Sequence, residues 1–235
     1  MKDIEKIIEK VIKKKNFRRN LKKAAEMCES EGIETGFVAF FDLRSQRLKV
    51  DKVKRGECRR LLLGGSMLSY VIDREGFLFA LHFHPDVIDW SLESSLDSLL
   101  PSIQDIQGFF PPGIKWIWDA PKSGLKEEGL SRLERDLEWR EEVLKWKEEL
   151  KEKEEERELK FRVVEAIAGV SKKRDSLEVV VLFLWLKSEP RWKEILEEYP
   201  GYWREISFSK GIEILKNAFE IRLKKFRFLL SNSCL

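Results

Sequence analysis

Residues 77–85 read Phe-Leu-Phe-Ala-Leu-His-Phe-His-Pro, and this stretch decides how the first half of the chain folds. The run of aromatic and aliphatic residues over Phe77–Phe83 predicts a buried β-strand, because it is short and follows a turn-forming segment. Alternate residues of a strand point to the same face, so the side chains of His82 and His84 are expected to converge where the strand ends. They are the only two histidines in the chain.

Other elements are predicted before this strand. Apolar residues at helical spacing indicate a helix over residues 3–29, which Gly32 ends. Phe37–Asp42 is predicted to be a second buried strand. Arg47–Lys54 alternates apolar and polar residues, so it is predicted to be the partner of that strand in a hairpin.

The segments after the histidines predict a change of architecture. Ser91–Gln107 has helical spacing, and Ile114–Trp118 is predicted to be a short strand. Residues 126–160 are rich in Glu, Lys and Arg and predict a long charged helix, whereas the patterning of residues 161–235 is mostly helical. The predicted fold class is therefore α/β, a sheet flanked by helices, followed by an all-α C-terminal region. The predicted domains are 1–125 (with 1–16 as a leading basic helix), 126–160 as a connector, and 161–235.

Composition narrows the function classes. The hydrophobic fraction of 43% is enough for a core, and the net charge of +3 does not demand a nucleic-acid or membrane partner. The basic stretch 13–23 is most simply a solvated helix face, and the alternative is contact with nucleic acid or an acidic partner. Three cysteines without a CxxC pair indicate no disulfide framework. The apolar run Leu177–Leu186 is too short to span a bilayer, and no signal peptide is recognised, so a cytoplasmic protein is expected. Abundant Lys and Glu with few amides resemble heat-adapted proteins.

The histidine pair is the only strong candidate for chemistry. Imidazole is a preferred zinc ligand, and catalytic zinc sites use three protein ligands and leave one position open. A third ligand could come from the acids that follow the pair. The alternative is that the histidines only cap the end of a strand. The candidate third ligands are Asp86, Asp89, Glu93 and Asp97.

The segment His82-Phe83-His84-Pro85, followed by Ser94-Ser95-Leu96-Asp97, resembles the signature of the JAMM (MPN-like) zinc metalloproteases. That signature has an upstream Glu, an HxHP segment at a strand end, and an SxxD segment at the start of the next helix. The likeness is to the prokaryotic, archaeal type and covers roughly residues 17–125. The chain departs from the pattern in its longer spacer before Ser94, in Phe83, and in Glu93, where a Pro often precedes the serine.

The resemblance implies a cytidine-deaminase-like sheet and one Zn²⁺ ion held by His82, His84 and Asp97. It also implies Glu34 as the general base and Ser94 as the donor to the oxyanion. Glu29 and Glu31 are rivals for the base. Ser91 is a rival for the serine, but its partner at position 94 would then not be a carboxylate.

The function implied by the resemblance is a zinc-dependent isopeptidase or peptidase that removes a ubiquitin-like modifier from a protein. The expected partner is that modifier or its conjugate, with a further protein partner possible through the helical C-terminal region; nucleic acid and membrane are not expected partners. An alternative is a catalytically silent JAMM-like scaffold for protein–protein, or nucleic-acid-associated, interactions through its helical C-terminal half.

Overall fold

A computed structural model describes residues 2–55, 67, 70–71, 74–87, 93–102, 105–106, 161–199 and 206–230. These residues form helices packed on a seven-stranded sheet with the strand order β2-β1-β4-β5-β6-β7, in which β3 pairs with β1. The strands are β1 (Thr35–Asp42), β2 (Leu48–Val50), β3 (Lys54–Arg55), β4 (Gly76–Val87), β5 (Phe161–Lys173), β6 (Ser176–Leu186) and β7 (Phe219–Leu229). The helices are α1 (Lys2–Lys13), α2 (Lys15–Glu31), a 3-10 helix (Glu93–Leu99), α3 (Trp192–Glu198) and α4 (Phe208–Leu215).

The sheet is mixed, and β4 and β5 form its parallel pair. β1 pairs antiparallel with β4, with Gly36 opposite His82 and Thr35 opposite Phe83. β5, β6 and β7 continue as an antiparallel meander. Parallel strands need a long crossover connection, which here runs through residues 88–160.

The main core lies between one face of the sheet and helices α1 and α2. Every second residue of β4 enters it, and the apolar faces of both helices pack against this row. α2 ends at Gly32, whose positive φ of 66° and N–H bond to the Cys28 carbonyl at 3.0 Å form a left-handed cap that favours glycine. The β4 residues in this core are Phe77, Phe79, Leu81 and Phe83.

Besides a small cluster of Leu99 with Val180, the opposite face of the described sheet carries two larger apolar clusters. Leu100 and Ile106 pack with residues of β5, β6, α3 and α4 in the larger cluster. Val38 and Phe40 of β1 pack with Leu78 and with Met67 in the smaller one. His82 and His84 point to this second face, because they alternate with the core residues of β4.

The predicted strands Phe37–Asp42 and Phe77–Phe83 are confirmed. β1 and β4 contain the predicted segments Phe37–Asp42 and Phe77–Phe83, and the predicted hairpin partner is present as β2 and β3. The predicted helix over residues 3–29 is two helices separated at Lys14, which has an extended conformation. Of the predicted helix Ser91–Gln107, the structure has the 3-10 helix and helical residues 105–106.

The predicted all-α C-terminal region is wrong. Residues 161–229 contain three long strands and two short helices, and the strands extend the same sheet as β1 and β4. The predicted strand Ile114–Trp118 and the predicted charged helix over residues 126–160 lie outside the described residues. In the described part of the chain, no helix combines the length and the apolar character needed to cross a membrane.

Gly76 provides a test of how tightly β4 is packed where it begins. A Cβ atom at this position would collide with the carbonyl oxygen of Phe41 and with the ring of Phe40. The backbone cannot move away easily, since Gly76 pairs with β1 on one side and with β5 on the other. We expect Gly76→Ala to lower the free energy of unfolding by about 1–3 kcal/mol, measured by chemical denaturation.

Gly32→Asn is the matched control for that measurement. A Cβ at Gly32 meets no atom within 4 Å. Asn also tolerates the left-handed conformation, so only a few tenths of a kcal/mol should be lost. A Gly76→Ala variant as stable as this control would contradict the packing described for β4.

Candidate metal centre

The centre is built on the second face of the sheet, at the point where β4 meets its two neighbours. His82 and His84 are both buried, with exposed fractions of 8% and 5%. The β1 residue opposite His82 is Gly36, which has no side chain to fill the space beside the imidazole. On the other side, Glu165 of β5 lies opposite Ala80 and points to the same face as His82.

The hydrogen bonds of the two rings assign their tautomers. Nδ1 of His84 lies 2.5 Å from the carbonyl oxygen of Ser98, which can only accept, so this nitrogen carries a proton. Nδ1 of His82 lies 3.2 Å from Oε1 of Glu165. With both Nδ1 atoms engaged, the two Nε2 atoms face each other at 3.1 Å. Each Nε2 atom then directs its lone pair at the other. A cation between the two nitrogens, either a proton or a metal ion, stabilises this arrangement.

The acidic side chains around the centre favour a positive charge on His82. Burial opposes protonation of His82, but Asp105, Glu165 and Glu34 outweigh it and raise the pKa of His82 to about 9. Burial and the charge on His82 hold the pKa of His84 below its ordinary value. Acidic side chains therefore supply the field that a bound cation needs.

Asp105 completes the group. Its Oδ1 atom lies 3.7 Å from Nε2 of His82. Its Oδ2 atom accepts hydrogen bonds from the backbone N–H and the hydroxyl of Ser102, at 2.6 and 2.7 Å. The N–H of Asp105 donates to the Ser102 hydroxyl at 3.3 Å, so the two residues form a reciprocal cap. One carboxylate oxygen is thus held in place while the other faces the histidines.

A hydrogen bond from Tyr199 links the segment that carries Asp105 to the end of α3. The hydroxyl of Tyr199, next to α3, donates to the carbonyl oxygen of Pro101 at 2.7 Å and is buried. Burial, together with the charge of Asp105, raises the pKa of Tyr199 above its ordinary value, so the hydroxyl stays protonated and able to donate. Leu100 and Ile106 anchor the same segment in the apolar cluster beneath it.

This donor set fits a divalent metal ion. One ligand atom from each of His82, His84 and Asp105 lies within 4.8 Å of the other two. Two Zn–N bonds of ~2.0–2.1 Å at a tetrahedral angle hold their nitrogens about 3.3 Å apart, close to the observed separation of the Nε2 atoms. Each histidine also has an acceptor on its other nitrogen, as metal-binding histidines usually do. Three protein ligands would leave a fourth position for water.

Two of the three predicted ligands lie together, and the third lies elsewhere. His82 and His84 lie together, as predicted from their spacing. Asp97 is not among the described residues that share the metal group, and its Oδ1 atom instead accepts a 2.6 Å hydrogen bond from the N–H of Phe208. That N–H begins α4, whose N-cap residue Ser207 makes no side-chain cap, so Asp97 satisfies the helix end in its place.

The structure describes the predicted base, Glu34, but not the side chain of the predicted oxyanion donor, Ser94. Glu34 directly precedes β1, at the level of His84. Its charge favours the protonated form of both histidines, although burial and the charge on His82 still hold the pKa of His84 below its ordinary value. It therefore lies within electrostatic reach of the centre. The side chain of Ser94 lies outside the described part of the structure.

Two residues of the centre were not predicted from the sequence. Asp105 belongs to Ser102-Ile103-Gln104-Asp105, a second SxxD segment, and this one is preceded by Pro101. That proline is the signal that could have distinguished the two segments. Glu165 had no comparable signal, because only the pairing of β5 with β4 brings it to the site.

Comparisons with known proteins identify no relative of this chain. No family model, no curated protein and no solved structure matches it.

The two SxxD aspartates can be separated by mutation. We expect Asp105→Ala to weaken Zn²⁺ binding at least tenfold, because it removes a ligand, and to cost about 0.5–2 kcal/mol of stability, because it also removes the acceptor of two hydrogen bonds from Ser102. Asp97→Ala should retain Zn²⁺ affinity within about twofold and lose roughly 0.5–2 kcal/mol of stability, because α4 loses its cap. Calorimetric Zn²⁺ titration and chemical denaturation measure the two effects. The reverse pattern would return the third ligand to Asp97.

Glu165→Gln tests the partner of His82. The amide can still accept a hydrogen bond from Nδ1 but carries no charge, so the orientation of the ring is kept while the field is lost. We expect Zn²⁺ affinity to fall by about 10–100-fold with the thermal stability of the metal-free protein nearly unchanged. An unchanged affinity would show that Glu165 only packs beside the centre.

Proposed function

We propose that this protein is a zinc-dependent hydrolase of the JAMM type that cleaves an amide or isopeptide bond next to a ubiquitin-like modifier. The observation that carries the proposal is the group of the two buried histidines, His82 and His84, with Asp105, in which one ligand atom of each lies within 4.8 Å of the others. The HxHP segment and the Pro-Ser-x-x-Asp segment, which resemble the family signature, supply two of its sides.

The ligands are held before any metal arrives. The Ser98 carbonyl and the Glu165 carboxylate fix the two imidazole rings, and Ser102 fixes the carboxylate of Asp105. Little rearrangement is then needed to bind an ion, and preorganised ligands bind more tightly than mobile ones.

Zinc bound by these three residues would supply a Lewis acid for the scissile carbonyl and a water whose pKa is lowered towards neutrality. We assign Glu34 as the base that would take the proton from that water and pass it to the leaving amine, because it lies within electrostatic reach of the centre. A serine hydroxyl would donate to the developing oxyanion. Ser102 accompanies Asp105 as the family pattern requires, whereas Ser94 accompanies Asp97, so Ser102 is the first candidate and Ser94 the second. To donate to the oxyanion, the Ser102 hydroxyl would turn away from Asp105, and the backbone N–H of Ser102 would still hold that carboxylate.

A small cavity lies beside the centre, and its volume of about 10 Å³ is enough for about one water molecule. Two acidic side chains of the centre, Asp105 and Glu165, reach its wall. The rest of its lining is apolar, which strengthens electrostatic interactions there. The apolar lining residues are Pro101, Ile106, Leu184 and Phe219.

The decisive variant is Glu34→Gln, which removes a base without removing a ligand. We expect it to bind Zn²⁺ with unchanged stoichiometry and to lose at least a hundredfold in the rate of cleavage of an isopeptide-linked ubiquitin dimer, measured by gel electrophoresis with the zinc-loaded full chain. Glu31→Gln is the matched control, because Glu31 pairs with Arg55 on the surface, and it should cleave at the rate of the original protein.

The measurements separate the proposal from its rival, a catalytically silent scaffold. A protein that takes up one Zn²⁺ and cleaves the dimer only with Glu34 intact supports the hydrolase. A protein that takes up no metal on titration would sink the hydrolase and favour the scaffold. Cleavage that survives in Glu34→Gln would remove Glu34 as the base and return Glu29 and Glu31 to consideration.

A further inference from the structure

Positive charge is concentrated at the start of the chain, although the whole protein is nearly balanced. Residues 1–23 contain ten Lys or Arg and three Asp or Glu, against a net charge of +3 for the full sequence. These residues form α1 and the first half of α2.

Exposed cations form a row on each helix, and Arg18, which is also exposed, lies outside these rows with its guanidinium over the rings of Phe226 and Phe228. On α1 the exposed positions 6, 10 and 13 are all lysine, and on α2 the exposed positions 15, 19 and 23 are Lys, Arg and Lys. Residues four apart on a helix lie on one face about 6 Å apart. Like charges at this spacing cost about 0.2–0.5 kcal/mol per pair, so folding does not favour these rows. We call the two rows together the basic face.

The basic face is not neutralised by the acids of its own helices. Glu5 pairs with Arg222 and Glu9 with Lys224, so both are engaged by β7, and Glu26 pairs with Lys22. Within the described ranges, Lys10 donates to the neutral Gln46, and the remaining five cations of the basic face form no ion pair. The exposed Arg44 and Arg47 lie in the turn that contains Gln46 and extend the same surface.

The basic face has no apolar residues with which to enter a bilayer. The isoleucines and the valine of α1 are buried in the core, with exposed fractions of 9% or less. Helices that lie in a membrane surface need an exposed apolar face as well as cations. No large exposed hydrophobic residue has been identified on α1 or α2 among the described residues. A polyphosphate backbone, which is bound through charge alone, fits this surface better than a membrane does.

We propose that the basic face of α1 and α2 binds the phosphate backbone of double-stranded nucleic acid without reading its sequence. The rows place cations about 6 Å apart along two helices, and a DNA duplex carries one negative charge per ~1.7 Å of its axis, so several phosphates lie opposite the face at once. The basic face is on the side of the sheet that α1 and α2 cover, and the metal centre is on the opposite side. The surface would therefore hold the protein on nucleic acid while the centre stays open to a protein substrate.

The test uses the full chain and a fluorescein-labelled 24-base-pair DNA duplex, with binding followed by fluorescence anisotropy between 50 and 200 mM NaCl. With five or six phosphates neutralised, the logarithm of the binding constant should fall with the logarithm of salt concentration at a slope of about −4.5 to −5.4. Arg19→Glu/Lys23→Glu should weaken binding at least tenfold and lower the magnitude of this slope by about 2.

The matched control is Lys216→Glu/Lys225→Glu. It changes the net charge by the same amount, but Lys216 caps α4 and Lys225 alternates with Lys224, which faces α1, so both lie away from the basic face. We expect this variant to bind within about twofold of the original protein. His84→Ala should also bind DNA normally, which separates this proposal from the hydrolase.

Three results would overturn the proposal. These are no binding at 50 mM NaCl, equal weakening by the variant and its charge-matched control, and binding to phosphatidylserine vesicles without binding to DNA. Circular dichroism of each variant checks that it is folded. Arg19→Gln/Lys23→Gln, which places no new acid beside the core, should show the same weakening to a smaller degree.

Discussion

In β4, Phe77, Phe79, Leu81 and Phe83 point into the core beneath α1 and α2. The orientation of these four residues determines the direction in which the remaining side chains of the strand point. His82 and His84 face the second layer because their neighbours must face the first. A slip of one residue in the pairing of β4 would bury the histidines under the helices and expose the phenylalanines, at a cost of many buried aromatic contacts. The apolar side of the strand therefore fixes the geometry of its polar side.

The same constraint explains why part of the fold and of the centre could be predicted. The alternation in β4 is a local pattern, and it was enough to predict the strand and the shared face of the two histidines, which lie close enough to hold a metal ion together. Asp105 was within reach of the same reasoning, but two SxxD segments follow the histidines, and the prediction rested on the first alone. The distinction depends on a contact between Asp97 and Phe208, far along the chain, which no local pattern reveals.

The C-terminal strands were mistaken for helices for physical reasons. β6 is buried on both faces, so its apolar residues run almost without interruption, and such a run has no period that separates a strand from a buried helix. In β7 the alternation changes phase at Lys224 and Lys225, which breaks the two-residue pattern. What makes these segments strands is their pairing with β5 and with each other, a tertiary effect.

The parallel pairing of β4 with β5 also has a consequence for the order of folding. The candidate ligands lie within residues 82–105, so they can approach one another through short loops. Glu165 reaches His82 only after the chain of residues 88–160 has closed on itself, and a loop of that length carries a large entropic cost before any contact offsets it. Contacts of such high sequence separation form late and slowly. The hydrogen bond between His82 and Glu165 is therefore expected to form late in folding. A partly folded chain that lacked β5 would have both imidazoles without the carboxylate that orients His82.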